Sequence, residues 1–106
     1  MIKDLNDPSF LNYCENKTPL EIVTDITDGN VRGLDKLALE SLYNRKKLPS
    51  LVVNVLVVYF FNAYRNTVYD RKDLARIYDY WAQHKVQTFF DAMRMAQMDI
   101  KQILKS

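Results

Sequence analysis

Apolar residues recur at helical spacing along most of the chain, and polar residues divide this pattern into short segments. The clearest helix start is Thr18-Pro19-Leu20-Glu21, where a capping box coincides with proline at the first helical position. We expect this helix to carry Leu20, Val23 and either Ile26 or Thr27 on one apolar side. It is expected to end at Asp28-Gly29, in the turn from Asp28 to Gly33 that holds both glycines of the chain. An earlier helix is predicted to start at Asp7-Pro8, as N-cap and first helical residue.

The middle of the chain is strongly apolar. From Leu34 to about Lys46 the pattern predicts an amphipathic helix, whose basic end Arg45-Lys46-Lys47 suits the negative end of the helix dipole. The segment from Leu48 to Tyr64 carries no formal charge and is at the lower limit of membrane-spanning length. Because it also contains proline, serine and two asparagines, the pattern favours a helix capped by Ser50 and buried on nearly all sides over a membrane span or a strand.

Two more helices are expected in the last third of the chain. Asp70-Arg71-Lys72-Asp73 opens one of them, with an apolar stripe formed by Leu74, Ile77, Tyr78 and Trp81. The final helix is predicted to start near Thr88 with Asp91 in a weak capping box, and its apolar face consists of Phe89, Met93, Ala96, Ile100 and Ile103. The chain therefore predicts a single all-α domain over residues 1–106, with about five to six short helices and a core in residues 17–104.

Composition excludes several classes of site. The 106 residues are 48% hydrophobic and 26% charged, which suits one packed domain with a radius of gyration of about 13 Å. One cysteine and one histidine exclude a disulfide framework and an ordinary zinc site, and two glycines leave no Gly-rich phosphate loop. His84 is expected to compensate a helix dipole and Cys14 to pack as a small hydrophobe. We therefore expect no enzyme activity, no catalytic residue, no metal and no cofactor.

The N-terminal sequence lacks the charged, apolar and small-residue regions of a secretory signal. The free Cys14 agrees with a reducing compartment. Together these features predict a cytoplasmic protein.

Charge is unevenly distributed, although the net charge of the chain is only +2. Residues 1–61 carry seven Lys/Arg and eight Asp/Glu, whereas residues 62–106 carry eight Lys/Arg and five Asp/Glu. Opposite the apolar stripe of the helix that starts at Asp70, helical spacing places Lys72, Arg76, Asp79, Tyr80 and Gln83. Two cations and an outward tyrosine suit phosphates and a stacked base. A solvated helix face has the same pattern, and from the pattern alone it is the favoured interpretation.

The segment Ile77-x-x-x-Trp81-x-x-x-x-Val86-x-Thr88 resembles the Y-x-x-x-I-x-x-x-W-x-x-x-x-I-x-T signature of the DnaD-like domain. That domain occurs in DnaD and DnaB, primosomal initiation proteins of low-GC Gram-positive bacteria, where DnaB is the helicase co-loader and membrane attachment protein. The segment from Leu48 to Leu56 is more similar to the DnaB type, and the stretch from Thr18 to Gly29 is similar to the start of the domain. The resemblance covers about residues 17–100. Asp73 stands where the signature has its tyrosine, so no role of that tyrosine is carried over.

The resemblance implies a non-catalytic replication-initiation module, part of a longer protein, that binds single-stranded DNA and assists helicase loading. The implied partners are single-stranded DNA and primosomal proteins, namely DnaD, a helicase loader and the replicative helicase. A homo-oligomer is compatible with it, and any membrane association would be indirect.

Within this resemblance, physical reasoning divides the residues into two groups. The signature positions are expected to form the scaffold: Ile77, Trp81, Val86 and Thr88. DNA contact is assigned to exposed cations, which hold phosphates without sequence preference, and to an aromatic ring that stacks on bases: Lys72, Arg76, Tyr80, Lys85, Arg94 and Lys101. An alternative hypothesis is a protein-interaction or self-association module that uses apolar residues left outside the core, with Tyr64, Tyr69, Met95 and Met98 as candidates.

Overall fold

The structure is a computed structural model that describes residues 9–43, 45–64 and 68–105. These residues form an all-α fold, and they contain no strand. The described residues include seven helices: α1 (Phe10–Asn16), α2 (Pro19–Ile26), α3 (Gly33–Tyr43), α4 (Ser50–Tyr64), α5 (Arg71–Gln83), α6 (Phe89–Met95) and α7 (Ile100–Lys105). The Cα radius of gyration is 12.5 Å, in agreement with the expectation for one domain of this length.

The uncharged segment forms α4, which is the central helix of the core. Every residue from Asn54 to Phe61 is buried, and the helix packs against α1, α2, α5 and α6. Packing on all sides explains why this segment carries no charge, and the prediction of a helix buried nearly all round is confirmed. Among the described residues, no helix combines the length and the apolarity needed to cross a lipid bilayer.

The predicted capping box fixes the start of α2. Thr18 Oγ1 accepts a hydrogen bond from the Glu21 backbone N–H at 3.2 Å, and Glu21 Oε1 accepts one from the Thr18 backbone N–H at 2.9 Å. The hydrogen bond from the Thr18 backbone N–H to the Glu21 carboxylate holds the pKa of Glu21 below its usual value. The helix ends in a Schellman motif, in which the Gly29 N–H donates to the carbonyl of Thr24 at 2.8 Å.

A buried carboxylate fastens the turn before α3 to the start of α5. Asp35 is fully buried and accepts hydrogen bonds from the Tyr69 hydroxyl at 2.6 Å and from the Arg32 guanidinium at 3.1 Å. The same guanidinium lies over the Tyr69 ring, 5.4 Å from its centroid. Burial opposes ionisation of Asp35, but the hydrogen bonds from Arg32 and Tyr69 outweigh it and hold the pKa of this carboxyl below its usual value.

The prediction of one continuous final helix is wrong, because residues 96–99 separate α6 from α7. Asp99 starts α7: its Oδ1 accepts from the Lys101 N–H at 3.0 Å, and its carbonyl accepts from the Gln102 N–H at 3.0 Å. The apolar face continues across the break, since Ala96, Ile100 and Ile103 are all buried. The helical period therefore does not reveal the break, and neither glycine nor proline marks it.

Three smaller predictions also need correction. Helix α3 ends at Tyr43, so the basic residues expected in its last turn lie in the α3–α4 loop. Ser50 is the first residue of α4 rather than its cap. Leu20 is 43% exposed, because the buried side of α2 is formed by Ile22, Val23 and Ile26. The predicted start at Asp7-Pro8 lies outside the described residues.

Candidate nucleic-acid interface

Helix α5 carries three of the residues assigned to DNA contact, and its sequence determines where they lie. Asp70 Oδ1 accepts from the Lys72 N–H at 2.9 Å and caps the helix. The predicted apolar stripe is confirmed, since each of its members is completely buried: Leu74, Ile77, Tyr78 and Trp81. Lys72 and Arg76 lie on the exposed side of the helix.

Two polar residues expected on that exposed side contact other parts of the protein. The Tyr80 ring is half-buried, and its centroid lies 4.4 Å from that of the exposed His84, which is the C-cap of α5. Asp79 Oδ1 lies 3.1 Å from Arg45 Nε. The tyrosine is therefore less outward than expected, and the acidic charge of Asp79 is paired with a cation from the α3–α4 loop.

Arg76 links α5 to α7. Its Nη2 donates to the carbonyl of Leu104 at 2.6 Å, and its Nη1 lies 3.4 Å from Asp73 Oδ1. Beside this link, Arg76 and Tyr80 line a groove of about 400 Å³ together with Asp79 and Ile103. Arg76 thus has a structural contact in addition to its exposed position.

Three further grooves meet at Arg45 and are lined by cations. The largest of the three has a volume of about 650 Å³ and lies between the α1–α2 link and the start of α4; we call it the Leu51 groove. Besides Arg45, the cations that line it are Lys17 and Lys46. A second groove, of about 370 Å³, lies between α3 and α5 and is lined by Arg71 and Lys72 together with Arg45. The third, of about 520 Å³, is lined by Lys47 together with Arg45. We call these six cations the basic surface: Lys17, Arg45, Lys46, Lys47, Arg71 and Lys72.

Positive charge predominates on the basic surface. The same three grooves contain only three acidic residues, Glu15, Glu40 and Asp79, and the last is already paired with Arg45. Three of the lysines are exposed and have no ion-pair partner among the described residues: Lys46, Lys47 and Lys72. These exposed charges can attract an anionic polymer, and the attraction is sensitive to salt.

A buried tyrosine holds the loop that carries half of the basic surface. The Tyr78 hydroxyl donates to the carbonyl of Arg45 at 2.7 Å and accepts from the N–H groups of Lys47 at 3.0 Å and Leu48 at 3.1 Å. Gln87 Nε2 also donates to the carbonyl of Lys47 at 3.1 Å. Helix α5 and the segment after it therefore fix the path of the α3–α4 loop.

The remaining residues assigned to DNA contact lie outside these four grooves. Lys85 is exposed just after α5, Lys101 is exposed on α7, and Arg94 is exposed on α6, where it lies 3.3 Å from Asp91. The structure thus places Lys72 with the basic surface and Arg76 and Tyr80 in the adjoining groove. It does not gather Lys85, Arg94 and Lys101 into either place.

The spacing of the signature residues follows from the way one helix ends and the next begins. At the end of α5 the Val86 N–H donates to the carbonyl of Trp81 at 3.2 Å, and the Lys85 N–H donates to that of Ala82 at 3.1 Å. This is a Schellman motif, which fixes a spacing of four intervening residues between the buried Trp81 and the buried Val86. Thr88 then caps α6 by accepting from the Asp91 N–H at 3.1 Å. Only this half of the predicted capping box forms, since the Asp91 carboxylate pairs with Arg94.

Sequence reasoning missed the part of the basic surface that lies before α4. The helical pattern places Arg45, Lys46 and Lys47 at the end of a helix, and residues 1–61 have a net charge of −1, so neither feature predicts a basic surface here. The available signal was the run of three cations that ends two residues before Pro49, because proline disfavours continuation of a helix and favours a loop for such a run.

The apolar candidates for a protein interface are mostly packed. Tyr69 is buried, Tyr64 and Met95 are half-buried against the core, and Met98 is exposed. Among the side chains that the structure describes, Phe90 on α6 is an exposed phenylalanine, with 72% of its surface accessible. Its neighbour Phe89 packs on Phe10, with 5.9 Å between ring centroids.

Cys14 is buried, as expected for a small hydrophobe, and burial raises the pKa of its thiol to about 12. Within the described ranges, no group of three His, Cys, Asp or Glu side chains is placed to hold a metal ion. Comparison of the chain with protein-family models, with curated proteins and with solved structures found no match. The DnaD-like resemblance therefore rests on the signature residues and their spacing.

Proposed function

We propose that this domain binds single-stranded DNA through the basic surface, without catalysing a reaction, and that it serves in assembly of a replication-initiation complex. The observation that carries the proposal is the meeting of three cation-lined grooves at Arg45. Cations on a surface of this kind hold phosphates without reading sequence. The resemblance to the DnaD-like domain supports the replication role and the primosomal partners, DnaD, a helicase loader and the replicative helicase.

The residues proposed to contact DNA are not expected to contribute equally, and they differ in part from those expected from the sequence. Lys72 lies on the basic surface itself, and Arg76 and Tyr80 line the adjoining groove. Lys46 and Lys47 join them as direct phosphate contacts because both are exposed. Lys85, Arg94 and Lys101 serve as an extension for a longer strand.

Salt dependence of oligonucleotide binding tests the proposal. Single strands lose affinity with a slope of about −0.7 per phosphate contact in a plot of log affinity against log salt. With about three to four contacts we expect a slope of roughly −2 to −3, measured by fluorescence anisotropy of a labelled strand. Absence of binding at low salt would contradict the proposal.

Single charge reversals locate the surface. Lys46→Glu and Lys72→Glu are each expected to lower affinity by roughly tenfold at low salt. Lys36→Glu is the matched control, since Lys36 is exposed on α3 and lines none of the four grooves. If all three variants lose the same affinity, the effect comes from net charge and not from this surface.

A second candidate function is protein interaction or self-association, and the exposure of Phe90 favours it. An exposed phenylalanine beside a packed one suits an apolar partner that extends the core at α6. Molecular mass measured over a range of concentrations tests self-association. A dimer that Phe90→Ser converts to a monomer would support this function, and a monomer at every concentration would contradict self-association.

A further inference from the structure

The Leu51 groove has properties that phosphate binding alone does not explain. Its volume of about 650 Å³ lies in the range typical of sites that enclose a small organic group. Four of its lining side chains are aliphatic: Leu42, Leu48, Leu51 and Val53. Leu51 and Val53 are only half-buried, so apolar surface remains available inside the groove.

The groove is cationic as well as apolar. Lys17, Arg45 and Lys46 line it, and Glu15 is the acidic residue among its lining side chains. Lys46 is the most available of the three cations, because Lys17 lies 3.9 Å from Asp25 and Arg45 lies 3.1 Å from Asp79. The matching ligand is a molecule with an apolar body joined to an anion.

A buried amide adds a third property. Asn54 lines the groove and is 5% exposed, and its Nδ2 donates to the carbonyls of Cys14 at 2.8 Å and Lys17 at 2.7 Å. Its Oδ1 is shielded from solvent and accepts no hydrogen bond from the described residues. A buried acceptor without a donor is unfavourable, so a shift of the groove wall that exposes this oxygen to an N–H group of a ligand would be stabilised.

We propose that the Leu51 groove receives one nucleobase of the bound single strand. The base supplies a flat, largely apolar body with N–H groups, and its flanking phosphates lie at Lys46 and Arg45. The Leu51 groove adjoins the rest of the basic surface, because Arg45 lines it and also lines the grooves that contain Lys47 and Lys72. A strand held on the basic surface is therefore next to the groove, which supports a nucleobase as its occupant. The inference rests on the proposed function and adds to it a contact with the base.

Two oligonucleotides of equal length distinguish the contribution of the base contact to affinity from that of the phosphate contacts. One is an ordinary mixed-sequence oligodeoxynucleotide, and the other has the same phosphates with abasic tetrahydrofuran residues in place of nucleosides. We expect the ordinary strand to bind about tenfold more tightly at equal salt. Equal affinity for both strands would overturn the inference and leave the proposed function standing, whereas no binding of either strand would overturn both.

Variants of the groove wall test its location. Leu51→Ala is expected to lower affinity for the ordinary strand by about fivefold and to leave the abasic strand unchanged. Leu20→Ala is the matched control, because Leu20 is an exposed leucine that lines none of the four grooves. If Leu51→Ala reduces the helical signal in circular dichroism, Val53→Ala replaces it. Equal losses for both strands, or equal losses in variant and control, would overturn the assignment to this groove.

Photo-crosslinking and competition complete the test. A strand containing 5-iododeoxyuridine is expected to crosslink to the segments that line the groove, 14–19 and 42–54, and crosslinks confined to other segments would overturn the proposal. Adenosine monophosphate is expected to displace the strand only at millimolar concentration, since it lacks the additional phosphate contacts. Displacement at micromolar concentration would assign the groove to a free nucleotide and overturn the strand as its source.

Discussion

Asp35 is the residue whose protonation most directly affects the contacts that hold α5 in place. Its carboxylate bonds to Tyr69, just before α5, and to Arg32, just before α3. The pKa of Asp35 is lower in the folded chain than its usual value. A carboxyl with a depressed native pKa stabilises the fold above its unfolded-state pKa of about 3.9, and this stabilisation is lost as the pH falls through the native value.

The first prediction concerns this carboxylate. Asp35→Asn is expected to lower the free energy of unfolding at pH 7 by about 2 kcal/mol, because hydrogen bonds to a charged acceptor are replaced by weaker ones. Between about pH 5 and about pH 3 the wild type should lose stability more steeply than the variant, as measured by urea unfolding. Glu15→Gln, a change at an exposed carboxyl, should match the wild type at pH 7. Parallel pH profiles of wild type and Asp35→Asn would contradict the role given to Asp35.

Lys85 illustrates a different effect of a single residue, since its backbone lies in the left-handed region at φ +55°. A side chain with a Cβ is strained there, and glycine removes that strain but adds chain entropy in the unfolded state. Lys85→Gly is therefore expected to raise the free energy of unfolding by about 0.5–1 kcal/mol. Lys85→Ala removes the same charge and keeps the Cβ, so it should give no gain. Equal gains in the two variants, measured by urea unfolding, would show that charge and not backbone conformation is responsible.

At the level of elements, the sequence identifies helices whose ends carry a chemical signal. The capping box at Thr18, the helix start at Asp70 and the apolar stripe of α5 all form as predicted, and the structure adds that Asp70 caps its helix. The break between α6 and α7 could not be predicted, because the apolar period runs through it and Asp99 resembles any exposed helical residue. Helix periodicity reports which side faces the core, and it does not report where a helix is interrupted.

The candidate interface was predictable only in part, for a related reason. Lys72 could be placed on the exposed side of α5 from spacing alone. Its proximity to Arg45 depends on the packing of α3 against α5, which brings together positions about thirty residues apart. A net charge counted along the chain does not record which cations lie close together in the fold. For residues 1–61 this net charge is −1, so it gives no sign of a basic surface.

The link between α5 and the α3–α4 loop gives a prediction at this scale. Tyr78→Phe removes a hydroxyl that makes three hydrogen bonds to the loop backbone, and we expect a loss of about 1–3 kcal/mol in the free energy of unfolding. Hydrogen exchange at the amides of Lys47 and Leu48 should accelerate, and oligonucleotide affinity should fall although no charge is removed.

Tyr59→Phe is the control for this prediction. The Tyr59 hydroxyl is also bonded inside the protein, to the carbonyl of Met98 at 2.5 Å, but it does not contact the α3–α4 loop. The Tyr59→Phe variant should have a lower free energy of unfolding than the wild type and an unchanged oligonucleotide affinity. Equal losses of affinity in the two variants would indicate a general loosening of the fold.

For the whole molecule, the basic surface exists only when the helices are assembled, because its cations come from the α1–α2 link, the α3–α4 loop and the start of α5. A ligand that binds the folded chain alone stabilises it, by about 2.7 kcal/mol at a hundred times its dissociation constant. We therefore expect a single-stranded oligonucleotide to raise the Tm at low salt. The rise should vanish at high salt, where counterions compete for the same cations, and it should be smaller in Lys72→Glu. A Tm shift that persists at high salt would contradict binding through phosphates.

The Tyr78 anchor also has a consequence for how such a surface can change during evolution. Its hydroxyl holds main-chain atoms of residues 45, 47 and 48, and the side chains of Lys46 and Lys47 take no part in those bonds. Substitutions at these two lysines can therefore alter the charge of the surface while the loop keeps its path. The fold separates a position under structural constraint, the tyrosine, from neighbouring positions that are free to diverge. Homologous chains should accordingly retain the tyrosine whether or not they retain the charges at positions 46 and 47, and an engineer can change affinity there at little cost in stability.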